Sequence, residues 1–198
     1  MTNITQEAQF DNFFALFEQP VQFELVQEQL DHRLRLLQKQ YHPDNVLKQN
    51  AETEAKEIKH IQIHSEQASA LINQAYQTLS APDSRAAYLL DMAGQGQNLE
   101  HSIADLDFLE DAMEMRIELD DAIQNKDGAA LQRLQPQVTE RLQIQSKRFA
   151  MAYDSSTKQV AIDATEKLKF LVKLNADITI GLDDIASAAH LDDDDLYV

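Results

Sequence analysis

No cysteine occurs among the 198 residues. That absence removes disulfides, thiolate zinc sites, cysteine nucleophiles and iron–sulfur ligation by this chain together. Glycine and proline are scarce, four of each, against about 12% combined in an average protein. Turn-dense β sandwiches and barrels need more of both, so a mostly helical chain is favoured. Long apolar runs are missing as well. The longest, such as Phe13–Phe17 and Ala86–Leu90, span five residues, far below the roughly 20 that a membrane-spanning helix needs. The opening residues Met1-Thr2-Asn3-Ile4-Thr5-Gln6-Glu7 hold neither a basic group nor an apolar segment. No secretory signal or transit peptide is expected from them, and a soluble protein of a bacterial cytoplasm is. Positive charge is short too: 17 Lys and Arg against 34 Asp and Glu leave a net charge of −17. This balance argues against a whole-surface grip on nucleic acid or on an anionic membrane, though not against a local basic patch.

What is present reads as helices. Val26, Leu30, Leu34, Leu37 and Tyr41 recur at spacings of 4, 4, 3 and 4, one stripe of an amphipathic helix that Pro43 must end. Ile58, Ile61, Ser65, Ala68, Ile72, Ala75 and Leu79 form a second stripe before Pro82. The two helices are expected to pair as an antiparallel hairpin, with the segment from His42 to about Ala51 as the exposed connection. Phe10, Phe13, Phe14 and Phe17 would cap its open side, and Arg85–Met92 adds a short helix. Ala93–Ala104, with Gly94 and Gly96, reads as a linker. Three further patterns follow, Asp105–Gln124, Ala129–Tyr153 and Ser156–Ala176, and suggest a small up-down bundle. Pro136 is expected to kink or divide the second of them. The tail from Asp183, with Asp192–Asp195 consecutive, is expected to be solvated and mobile.

The charge is unevenly spread. Glu100–Asp127 carries 10 acidic and 2 basic groups, whereas Glu140–Lys173 carries 7 basic and 4 acidic, a pattern that favours pairing between bundle helices. On the helix from Asp105, Phe108, Ala112, Met115, Leu119 and Ala122 form one stripe, and Leu106, Leu109, Met113 and Ile117 form another. A helix in a three-helix bundle needs one buried stripe, so the second reads either as an exposed partner site, where Met113 suits an adaptable surface, or as part of one wide buried face.

Tyr41-His42-Pro43-Asp44 is the most informative run. Pro43 ends the helix and fixes its own φ, and Asp44 can bond nearby backbone donors, which presents His42 on a stiff loop. Just before it, Arg33, Arg35 and Lys39 stand without an acidic neighbour, a basic island suited to docking on an acidic protein surface. The plainer reading of the same residues is a solvated helix face followed by a capped loop.

Phe13–Ala87 resembles a J domain, the module of J-type co-chaperones. The likeness rests on the aromatic helix, the basic second helix, the His-Pro-Asp loop, Ile72-Asn73-Gln74-Ala75-Tyr76-Gln77-Thr78-Leu79 and Arg85-Ala86-Ala87-Tyr88-Leu89-Leu90. Across residues 10–176 the chain is similar to the HscB family, J-type co-chaperones of iron–sulfur cluster biogenesis. The further residues are Phe14-Ala15-Leu16-Phe17 with Pro20, Leu37-Gln38, the run Asp107–Leu119, and Lys167-Leu168-Lys169-Phe170-Leu171. The resemblance implies an all-α, L-shaped pair of domains: a J domain over 1–92, a linker over 93–104, a three-helix scaffold-binding domain over 105–182 and an acidic tail over 183–198. It implies that His42, Pro43 and Asp44, with Arg33, Arg35 and Lys39, bind a specialised DnaK-type chaperone, HscA, and stimulate its ATPase. It further implies that Leu109, Met113, Glu114, Ile117 and Phe170 hold the cluster scaffold protein IscU, with Leu174 one turn on from Phe170. No cofactor and no catalytic group are expected. Against the family pattern, Asn45 stands where a Lys or Arg is common and Glu110 where a hydrophobic residue is usual. Ile117 stands where an acidic residue is usual, and Glu18-Gln19 where a glycine-containing turn is.

Other constellations are weaker. His60 and His64 are four apart on a helix but lack a third ligand. No phosphate-binding glycine loop or nucleophile elbow occurs, so an enzyme is the least supported class. The competing functions are a J-domain co-chaperone of a general DnaK-type chaperone with another client, or a non-catalytic helical adaptor with a fortuitous His-Pro-Asp.

Overall fold

The computed structural model describes residues 11–41, 55–96, 103–155 and 157–194, with the helix path alone over 55–65 and 189–194. Among the described residues every regular element is a helix: α1 Phe13–Leu16, α2 Gln27–Tyr41, α3 Ala55–Ser80, α4 Pro82–Met92, α5 Leu106–Gln124, α6 Gly128–Asp154 and α7 Lys158–Asp194. None of them is long and apolar enough to cross a membrane. The chain divides into two compact units, Met1–Leu89 and Leu90–Val198.

In the first unit α2 packs on α3, and Gln27 and Asp31 near the start of α2 meet Tyr76 near the end of α3, which sets the pair antiparallel. Leu30 and Leu37 from α2 and Ile72, Ala75 and Leu79 from α3 are buried. Val26, expected on the α2 stripe, precedes the helix and is exposed. Asn12 caps α1 by accepting a hydrogen bond from the Ala15 amide, and α1 drives Phe14 and Phe17 into the core, where neither is accessible. Burial of such a ring contributes about 1.5–3 kcal/mol. Tyr88 of α4 stacks on Phe13 at 4.7 Å between ring centroids and accepts a hydrogen bond from the Phe13 amide. Phe10 lies outside the described residues.

The second unit is built on Met115, Leu119, Ala122, Leu131, Leu134, Val138, Leu171, Leu174 and Ile178, contributed by α5, α6 and α7. Asp105 and Asp127 cap α5 and α6 by accepting from the amides of Phe108 and Ala130. Gly181 lets α7 come close: a Cβ there would sit 3.0 Å from Leu131 Cδ1 and 3.2 Å from Ile123 Cγ1. Two expectations are corrected. α6 is not divided at Pro136; the proline faces solvent, so the carbonyl it fails to satisfy, that of exposed Gln132, is left to water. The last helix ends not near Ala176 but at Asp194, because Leu182 and Ile185 continue the apolar spacing and pack against the core. Residues 183–188 are therefore helix rather than free tail, although Asp183 and Asp184 are exposed.

Three helix ends use one device. After α1, α4 and α5 the amide of the second residue past the cap bonds back across five residues: Gln19 to Phe14, Gln95 to Leu90, and Asp127 to Ala122. The residue before each takes a positive φ, 54° at Glu18, 71° at Gly94 and 52° at Lys126. Only Gly94 suits that conformation without steric cost. Lys126→Gly is therefore expected to stabilise the second unit by about 0.5–1 kcal/mol and raise its thermal midpoint by a few degrees. A lower midpoint would contradict this reading of the turn.

Candidate functional site

Two surfaces were expected, one in each unit. In the first, His42, Pro43, Asp44 and Asn45 lie outside the described residues. Of the basic residues leading to them, Arg33 is turned back onto its own unit. Its Nη2 meets Glu18 Oε1 at 2.8 Å, and its Nε donates to the Leu16 carbonyl. The side chain is largely covered, at 19% exposure, so much of its charge is engaged within the fold. Arg35 and Lys39 lie on the exposed side of α2, Lys39 in its last turn. Glu18 thus takes the left-handed conformation at this turn and adds a tie to α2.

The direction of α2 against α3 is set by one polar cluster. The Tyr76 hydroxyl donates to Asp31 Oδ1 at 2.8 Å, and Gln27 Nε2 donates to the same oxygen. Tyr76's hydrogen bond, then Gln27's, holds the Asp31 carboxyl below its ordinary range, and bonding to Asp31 pushes the Tyr76 hydroxyl up. Arg85, quoted in the J-domain likeness, is buried: its Nη1 donates to the Leu79 carbonyl and its guanidinium lies 5.0 Å over the Phe23 ring. Burial lowers its pKa. It ties the start of α4 to the end of α3.

In the second unit the two stripes of α5 separate. Ala112, Met115, Leu119 and Ala122 are buried. Leu109, Met113 and Ile117 are exposed, Met113 by 68% and Ile117 by 57%, which selects the exposed-stripe reading. Glu114 is exposed beside them, and Glu114, Ile117, Glu118 and Asp121 line an open groove of about 460 Å³ along α5. Phe170, half-buried on α7, meets Phe108 edge to face at 6.2 Å, one residue before Leu109. Leu174, expected beside Phe170, is instead buried in the core. Leu106 was on the stripe but not among the expected site residues; at 76% it is the most exposed large apolar side chain described.

Ion pairs orient this helix. Arg116 reaches Asp177 on α7 at 2.6 Å and Asp120 on its own helix at 3.1 Å, and Arg141 of α6 holds Asp111 with two nitrogens. Lys167, read at first only as part of a resembling run, is a buried ammonium paired with Asp105 and Asp163. Its type and position alone carried no sign of burial. Among the described residues no cluster of His, Asp and Glu suits a metal ion; the side chains of His60 and His64 are not among them.

Asp105 and Asp111 are both held below the usual carboxylate range, Asp105 chiefly by the Lys167 hydrogen bond and Asp111 by that of Arg141. A carboxyl with a depressed folded pKa adds stability above its unfolded value, about 3.9 for Asp, and loses it as pH falls through the folded one. The gap in unfolding free energy between the wild type and Asp111→Asn should therefore hold from pH 7 to about 5 and narrow progressively below about 4. A gap that does not narrow at all as the pH falls below about 4 would show that Arg141 is not its source.

Residues 104–179 match the family described as the HSCB C-terminal oligomerisation domain. The structure of chaperone HscB from Vibrio cholerae is 33% identical, with 88% of this chain and 99% of that chain covered and a TM-score of 0.66. The Jac1 co-chaperone from Saccharomyces cerevisiae is 26% identical over 85% of this chain and 92% of that one, at a TM-score of 0.58. Human co-chaperone protein HscB shares the fold at 23% identity, covering 90% and 86%, with a TM-score of 0.66.

Proposed function

The chain belongs to the HscB family of co-chaperones, and on that premise we propose that it stimulates the ATPase of a specialised DnaK-type chaperone, HscA, and delivers to it the iron–sulfur cluster scaffold IscU. The first unit acts as the J domain, with His42, Pro43 and Asp44 as the stimulating loop. Arg35 and Lys39 supply the docking charge, and Arg33 contributes mainly by holding the α1 turn against α2. The second unit holds the scaffold on Leu109, Met113, Glu114, Ile117 and Phe170.

The observation that carries this reading is the exposed stripe of α5. A helix that buries one apolar stripe in its own core and leaves a second in water supports partner binding, since monomers rarely expose contiguous apolar surface without a use for it. The protein supplies no group to the hydrolysed phosphate. It shifts a conformational equilibrium of the chaperone, by no more than its differential affinity for the two states.

Steady-state ATP hydrolysis by the cognate chaperone is the test. The wild type is expected to raise it, and His42→Gln to abolish the rise; stimulation that survives the substitution would overturn the role of the loop. Adding the scaffold should raise hydrolysis further, and Met113→Ser combined with Phe170→Ser should weaken scaffold binding at least about tenfold, as loss of central apolar anchors does. A scaffold gain that persists in this variant would overturn the second surface. Affinity for the chaperone should also fall clearly between low and physiological ionic strength, where the screening length shrinks to about 8 Å. Salt-independent binding would exclude docking through Arg35 and Lys39.

A further inference from the structure

We propose that Lys167 is a positioning residue for the scaffold-facing surface: its buried ammonium locks the start of α5 against α7 and so holds Leu109, Met113 and Phe170 in one arrangement. This rests on the reading of that surface as the scaffold site.

The lock is continuous from residue to residue. Lys167 is 1% exposed, and its Nζ donates to Asp105 Oδ2 at 2.6 Å and to Asp163 Oδ2 at 2.9 Å. Asp163 is one turn back on the same helix and aims the ammonium; Arg148 of α6 approaches Asp163 at 3.6 Å. Asp105 works with both oxygens, since Oδ1 accepts the Phe108 amide at 3.1 Å and caps α5 while Oδ2 takes Lys167. The ammonium also lies 5.3 Å over the Phe108 ring, and that ring meets Phe170 edge to face. Cap, cation and two rings thus form one path from α7 to the residue before Leu109.

Stability alone does not call for this arrangement. Removing an ammonium from water is costly, and apolar residues of similar size often replace buried ion pairs without loss. What an ion pair adds is direction. Two carboxylates and a ring face admit one placement of the ammonium, and with it one rotation of the first turn of α5, whereas an apolar side chain would pack over a range of rotations. The exposed stripe has no packing of its own to set that rotation, because its side chains point into water.

Calorimetric titration of the full chain with the cognate scaffold tests the lock. Lys167→Met keeps length and apolar contact and removes the charge. Asp105→Ser keeps a good helix cap and removes the ion pair. Each is expected to raise the Kd about five- to twentyfold. In a Phe170→Ala background, which itself weakens binding, Lys167→Met should weaken it little more, because the lock acts through the rings. Ile178→Ala, in the core about three turns along α7, should lower the thermal midpoint and leave the Kd unchanged well below it. Wild-type affinity in both lock variants alongside weakened binding in Met113→Ser would overturn the lock and leave the scaffold site standing. Wild-type affinity in all three would overturn both. Fully additive losses with Phe170→Ala, or an equal loss in Ile178→Ala, would reduce Lys167 to a general contribution to stability and overturn the proposal.

Discussion

Burial of Ala112, Met115, Leu119 and Ala122 against α6 and α7 is the contact on which the second unit and its surface depend. A helix turns about 100° per residue, so burying that stripe carries Leu106, Leu109, Met113 and Ile117 to the solvent side, and the ion pairs of Lys167, Arg116 and Arg141 hold the helix there. The exposure of the second stripe is thus tied to the burial of the first. The acidic groups of α5 share this exposure, and Glu114, Glu118 and Asp121 remain in solvent beside the stripe.

Part of the basic charge in the first unit is taken up by the fold. Arg33, Arg35 and Lys39 are neighbours in sequence, yet Arg33 is bound to Glu18 and to the Leu16 carbonyl. The positive φ at Glu18 places its side chain where α2 can use it, so the steric cost of that conformation is partly offset by a contact to the next helix. The tie between Asp31 and Tyr76 orients the two long helices against each other. The direction in which α2 carries Arg35 and Lys39 follows from these ties rather than from the basic residues themselves.

The periodic elements were legible before the structure, because 3.6-residue apolar spacing survives any arrangement of neighbours. The helix from Asp105 and its two stripes were visible; the cap that Asp105 forms was not. The length of α7 was not. Ile185, beyond Asp183 and Asp184, read as part of an acidic tail until the core of the second unit supplies the surface against which Leu182 and Ile185 pack and the helix continues. Pro136 leaves α6 undivided for a related reason: its cost in a helix depends in part on whether the orphaned carbonyl meets water, a property of the fold and not of the residue.

Residue order alone therefore determined the helical class, the positions of the helices, the family resemblance and the existence of a spare apolar stripe, all of which follow from local spacing and residue type. Tertiary packing decided which stripe of α5 is spare, that Leu174 is core while Phe170 stays at the surface, that Arg33 is engaged, and that Lys167 is a buried clamp. Those outcomes depend on carboxylates and apolar side chains brought in from distant segments. Exposure and pairing are relations between elements, and a single element's sequence does not contain them.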